Sequence, residues 1–229
     1  MARHLQHEVE NLKRKMLRLG GVVEQSFQRA VRAIQERDAE AARAVVNRDV
    51  EIDRMEVDLE EECLKVLALH QPVAVDLRFI IAILKINNDL ERIGDLAVNL
   101  AERAAFLSEL PAVPMPFDFA GMAEKTRAML KNALDALVFR DSGMARAVCA
   151  ADDEVDAVNR TMYRKVVEGI RKHPEQVEGL ITMFSISRQI ERIADHATNI
   201  AEDVVYTLEG DIIRHAHSIG KREPPAPGE

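Results

Sequence analysis

The sequence predicts an all-α protein built as two tandem three-helix bundles related by an internal repeat. Three observations lead there. Proline and glycine are scarce within long segments rich in Ala, Leu, Glu, Arg and Val, and gather at a few junctions. Within those segments apolar residues recur at helical spacing, as Leu90, Ile93, Ala97 and Leu100 do at 100° per residue. The chain also writes one stretch twice: "ERIGDLAVNLAE" from Glu91 to Glu102 and "ERIADHATNIAE" from Glu191 to Glu202 are identical at eight of twelve positions.

Read in order, the pattern predicts helices over about 5–36, 38–69 and 75–107, a Pro-rich connection "ELPAVPMPFDF", and helices over about 120–140, 142–172 and 176–211. Gly20 and Gly21 fall inside the first helix, where each costs about 1 kcal/mol against Ala, so a kink or a close packing contact is expected there. The repeat reaches beyond the motif. At an offset of 103, "AVRAIQERD" from Ala30 aligns with "ALDALVFRD" from Ala133, matching Asp38 to Asp141, and "EID" at Glu51 matches "EVD" at Glu154. The offset becomes 100 after the turn, because "KHPEQVE" is three residues shorter than its counterpart around "LHQPVAVD". Residues 1–109 and 120–214 are thus two up-down-up units joined by a linker over 110–119. The final stretch, 215–229, ends "GKREPPAPGE", cannot bury apolar surface and is expected to be disordered.

Composition narrows the function. A hydrophobic content of 47% supports a sizeable core in a 229-residue chain. No apolar run reaches the roughly 18 residues of a membrane helix, and "MARHLQHEVENLKRK" lacks the apolar centre of a signal peptide, which predicts a cytoplasmic protein. A net charge of -8, no Trp and two Tyr argue against nucleic acid and for cations or basic partners. The two cysteines, Cys63 and Cys149, occupy unrelated places in the repeat and read as buried reduced thiols.

The polar positions of the repeated motif carry the chemistry. Glu91, Asp95, Asn99 and Glu102 share a sector about 80° wide, apart from the apolar one, and Glu191, Asp195, Asn199 and Glu202 repeat it. The preceding helices carry stripes of their own: Asp49, Asp53, Glu56 and Glu60 in one half, Asp152, Asp156 and Asn159 in the other. With 39 acidic residues in 229 positions, about six or seven i, i+4 pairs arise by chance, so one pair proves nothing. The turns sharpen the case. Asp53 and Glu91 lie 19 residues either side of Pro72, and Asp49 and Asp95 lie 23 either side. In an antiparallel pair these four come level, roughly 30 Å from the turn. Asp156 with Glu191, and Asp152 with Asp195, are likewise symmetric about the His173–Pro174 bond. Helices packed 8–10 Å apart can gather such carboxylates around a cation, with all-oxygen ligands favouring Mg²⁺, Mn²⁺, Ca²⁺ or iron and bridging carboxylates able to hold more than one ion. A solvated acidic face is the alternative that the residues leave open. Arg92 and Arg192 either pair across the helix interface or lay their stems on apolar surface. His196 reads as a surface histidine rather than a ligand, and His215 and His217 fall near the fraying carboxyl end, where a ligand role is not expected.

Two three-helix repeats with "ERIGD" and "ERIAD" in their third helices, the run "QPVAVDLRFIIAILKINNDLERIGD", and Asp-x-x-x-Asp in the second helix resemble the PhoU family of phosphate-signalling proteins over about residues 5–211. The resemblance implies a cytoplasmic negative regulator of the phosphate-starvation response, not an enzyme. Such a protein is an adaptor between the ATPase subunit of the phosphate ABC transporter and the phosphate sensor histidine kinase. It also restrains uptake, forms a homodimer and meets the membrane only through its partners. It further implies metal ions (iron, Mn or Mg), multinuclear in some members, at Asp49/Asp53, Glu91/Asp95, Asp152/Asp156 and Glu191/Asp195. The second turn departs from the pattern by lacking the "DLR" of Asp76 to Arg78. Against the adaptor stand a ferritin-like carboxylate metal store or metalloenzyme, although no Glu-x-x-His occurs in the chain, and a helical scaffold with merely solvated faces.

Overall fold

The computed structural model describes residues 2–210. Six long helices follow one another: α1 (Ala2–Glu36), α2 (Ala39–His70), α3 (Ala74–Glu109), α4 (Phe119–Phe139), α5 (Ser142–Lys172) and α6 (Val177–Glu209). A single 3-10 turn, Pro174–Gln176, precedes α6, and no strand occurs among the described residues. Each helix lies within a few residues of its expected bounds. The expected tail over 215–229, with His215 and His217, lies outside the described residues.

Sequence chemistry explains why the helices start and stop where they do. Asp38 and Asp141, matched by the repeat, are both N-caps in extended conformation: the Asp38 carboxylate accepts from the amides of Glu40 and Ala41, and Asp141 from that of Met144. The residues before them, Arg37 and Arg140, both sit at left-handed φ, 54° and 55°, and so break the preceding helix sharply enough for the chain to double back. Arg37 also donates through its guanidinium to the carbonyls of Leu107 and Leu110, closing the end of α3.

The apolar stripe of α1, Leu12, Met16, Leu19, Val23, Phe27, Ala30 and Ile34, is wholly buried. Full burial of each large side chain in it contributes about 1.5–3 kcal/mol. In the middle of that stripe Gly20 makes the close contact its position predicted: a Cβ there would fall 2.6 Å from Leu134 Cδ1 of α4, whereas Gly21 faces open space. Helix α1 packs on α2 and α3, α4 packs on α5 and α6, and the halves meet where α3 lies against α6 and α1 against α4. One continuous core runs through both repeats. The α3–α6 pair is antiparallel: Lys85 reaches Asp203 at 3.4 Å and Asp89 meets His196 at 2.8 Å. The linker is packed, with Phe117 and Phe119 edge to face at 6.0 Å and both buried, and Val113 against Gly179.

Asp38→Ala and Asp141→Ala should each cost about 1 kcal/mol, read as a lower urea midpoint at unchanged slope. Unchanged midpoints would refute the capping role. Gly21→Ala should stabilise by about 0.5–1 kcal/mol through helix propensity, whereas Gly20→Val should cost about 1–3 kcal/mol by pressing on Leu134. Equal effects at the two glycines would contradict the α1–α4 contact.

Candidate metal centre

The antiparallel pair α5–α6 brings Asp152, Asp156 and Asp195 together, with one carboxylate oxygen from each lying within 4.8 Å of the others. Among the described residues no other three His, Cys, Asp or Glu side chains converge so closely. Glu191, one turn before Asp195, is near enough for its charge to be felt at Asp152. Burial pushes the Asp152 carboxyl up to about 7, helped by the charges of Asp195, Asp156, Asp153 and Glu191. Burial and then Asp156 also raise Asp195, while His196 and Arg192 pull it back. Glu191 is raised by burial, Asp195 and Asp156 against a hydrogen bond from Asn159. The Oδ1 atom of Asp152 is fully buried and has no hydrogen-bond partner. A desolvated acceptor left unpaired among like charges is costly, and a hard cation is the chemical group that relieves both conditions.

The α2–α3 pair repeats the arrangement more loosely. Burial, then Asp53 and Asp95, raise the Asp49 carboxyl, and burial, Asp95, Glu56 and Asp53 raise Glu91 against the opposing charge of Arg92. The four predicted carboxylates therefore sense one another across the helix pair. Gly94 permits the approach, since a Cβ there would lie 3.1 Å from Ile52 Cγ2 and 3.8 Å from Asp49 Oδ1. Arg92 does not cross the interface. Its guanidinium stays on α3, 3.4 Å from Glu91 and 3.2 Å from Asp95. Beside each carboxylate group a polar pair ties the helices at equivalent positions: the Asn87 amide donates to Glu56 at 3.1 Å, and the Ser187 hydroxyl to Asn159 at 3.0 Å.

The remaining expected ligands lie further along. Asn99 and Glu102 follow Asp95 by one and two turns, as Asn199 and Glu202 follow Asp195. Asn199 and Glu202 instead line a cleft of about 540 Å³ between α3 and α6, together with Lys85, Asn88, Asp89 and Asp203. Asn199 donates to Asp89 at 3.4 Å. His196 is not a surface histidine: its side chain is 19% exposed and its Nδ1 lies 2.8 Å from Asp89 Oδ1. Sequence reasoning missed Asp89. Its signal was a carboxylate in the apolar sector of α3, four residues before Ile93 and seven before Leu96. No activated nucleophile sits among these groups, for burial first, and nearby carboxylates next, push the Cys63 thiol up to about 12 and Cys149 to about 11.

Comparison with known proteins agrees with this architecture. The PhoU domain family model matches residues 16–104 and 119–204, one match for each repeat. A phosphate-specific transport system accessory protein PhoU homolog of Pseudomonas putida is 36% identical over 209 residues, covering 91% of this chain and 82% of its own. The Aquifex aeolicus homolog is 35% identical over 216 residues, 94% of this chain and 98% of its own. The crystal structure of PhoU from Pseudomonas aeruginosa superposes with a TM-score of 0.87 at 36% identity, over 90% of this chain and 99% of that one. The phosphate transport system regulatory protein PhoU from Streptococcus pneumoniae gives 0.84 at 27% identity, over 91% and 98%. Two family matches falling on the two repeats, and relatives alike along nearly the whole length, show that this chain belongs to the PhoU family.

Proposed function

We propose that this protein is an accessory regulator of phosphate transport that represses the phosphate-starvation response as a non-enzymatic adaptor. On this reading it docks on the transporter's ATPase subunit and on the sensor histidine kinase, and its acidic helix pairs bind metal. One observation carries the site: three carboxylates converge on a surface of the bundle with a buried oxygen left unbonded. The relatives' names supply the phosphate-transport context.

The donor set is all oxygen, which fits Mg²⁺, Mn²⁺ or iron. Asp152, Asp156, Asp195 and Glu191 would hold such an ion on α5–α6, and Asp49, Asp53, Glu91 and Asp95 on α2–α3. The metal would supply positive charge that offsets the repulsion between facing helices. The protein's own part is to hold those helices at fixed spacing and so present a defined face to a partner. A ferritin-like store draws its ligands from side chains pointing into the bundle, with Glu-x-x-His among them. Here Asp195 stands at the solvent edge of the helix pair, open on one side and desolvated on the side of α5, and α6 turns Ile190, Ile193, Ala194 and Ala197 into the bundle instead.

A phosphate-starvation reporter in cells grown with ample phosphate should switch on when the gene is deleted, and a silent reporter would overturn the regulatory reading. Alanine at both Asp95 and Asp195 should weaken capture of the ATPase subunit in a metal-dependent way. Undiminished capture would leave the faces merely solvated. For Asp152 the folded state holds its proton up to about pH 7, against an ordinary value of 3.8. Stability of the metal-free protein should therefore fall as pH rises from about 4 to about 7. Thermal melts should show this slope flattened in Asp152→Asn, and added Mn²⁺ should reverse the loss above pH 7 in the parent only.

A further inference from the structure

The two acidic helix pairs are matched residue for residue, yet they are not chemically equal. On α5–α6 the carboxylates of Asp152, Asp156 and Asp195 converge, and Asp152 keeps its unbonded buried oxygen. At the positions equivalent to Glu56 and Glu60 this half carries Asn159 and Tyr163, so its negative charge is confined to one level of the helix pair. On α2–α3 the acids run on through Glu56 and Glu60, and no three converge as closely among the described residues. A positive charge is already in place there: the Arg92 guanidinium contacts Glu91 at 3.4 Å and Asp95 at 3.2 Å. Arg192 occupies the equivalent position in the second half. Its charge reaches Asp195, but among the described residues it makes no ion pair within 4 Å of Glu191 or Asp195.

We infer that the centres fill in order: a hard cation enters the α5–α6 set first, and Arg92 holds the α2–α3 set in reserve as a resident counter-cation that an incoming ion must displace. The inference rests on the metal reading proposed above and adds an order and a gating residue to it. Displacement is feasible because Arg92 is half exposed, and solvent-exposed ion pairs are weak, about 0.2–1 kcal/mol each. Two such contacts make a brake rather than a block. In the second set Arg188, Arg192 and His196 act on Glu191 and Asp195 only at longer range, and its unbonded oxygen gains a partner on the first binding event.

The test uses the full chain, stripped of metal by chelation and titrated with Mn²⁺ alone, with bound ion followed by electron paramagnetic resonance and calorimetry. Two classes of site are expected. Asp152→Asn should remove the tighter class, and Asp53→Asn the weaker. Arg92→Gln should tighten the weaker class by about two- to thirtyfold and leave the tighter class in place, as removal of two exposed ion pairs implies. Arg192→Gln controls for the loss of a nearby positive charge, and should change either class less than twofold. Arg92→Gln and Arg192→Gln having equal effects would overturn the gating role. One class of equivalent sites, or loss of the weaker class in Asp152→Asn, would overturn the order while leaving the metal reading standing. No bound Mn²⁺ in the parent would overturn both.

Discussion

Burial of the facing sides of α3 and α6 is the contact from which the rest of the molecule takes its shape. Leu90, Ile93, Ala97 and Leu100 of the first repeat, and Ile190, Ile193, Ala197 and Ile200 of the second, are fully buried. A three-helix unit of about a hundred residues would leave one such side in water if it stood alone. Fusing two units through their third helices removes that cost and merges two small cores into one. The antiparallel crossing places the "ERIGD" and "ERIAD" segments at similar height, and α2 and α5 then lean against them from outside. Both acidic pairs therefore owe their geometry to a core built from the other faces of the same helices.

The carboxylates themselves work against the fold. Like charges facing one another across a helix pair, one of them desolvated as Asp152 is, favour separation or protonation. A core that holds the helices together regardless of that repulsion stores a preference for cations in the metal-free protein. The polar ties beside them, Asn87 to Glu56 and Ser187 to Asn159, fix the rotation of the same helices about their axes. Spacing comes from the apolar side chains and register from these amides and hydroxyls. The carboxylates are left to the solvent edge, where an ion or a partner can reach them.

Much of this was legible before any coordinates, because it is written twice. The matched aspartates Asp38 and Asp141 became matched N-caps, and residues counted out from Pro72 and from the His173–Pro174 bond are carboxylates that feel one another across their helix pairs. What escaped was whatever occurs once. His196 stands where the first copy has Leu96, so comparing the copies marks it as noise, although it bonds to Asp89 across the seam. Arg92 and Arg192 are identical in sequence and differ in use, since the pairing of a long flexible side chain depends on how open its surroundings are. Assigning Asn199 and Glu202 to the same group as Asp195 followed from helical periodicity alone. Four and seven residues of rise carry them to the α3–α6 cleft, a displacement that an angular projection does not see.

The Asp89–His196 bond makes the two halves unequal partners across the seam. In an ancestral pairing of two identical units, both third helices would offer the same residue at each site of the seam. Here Asp89 faces a histidine, while its counterpart Gln189 keeps a buried carbonyl oxygen without a partner. A protein assembled from two copies of the first repeat would bring Asp89 against Leu96, losing the histidine and leaving the carboxylate the amide of Asn99, the counterpart of Asn199. The halves have become a lock and its own key. A second copy of either half would forfeit that contact.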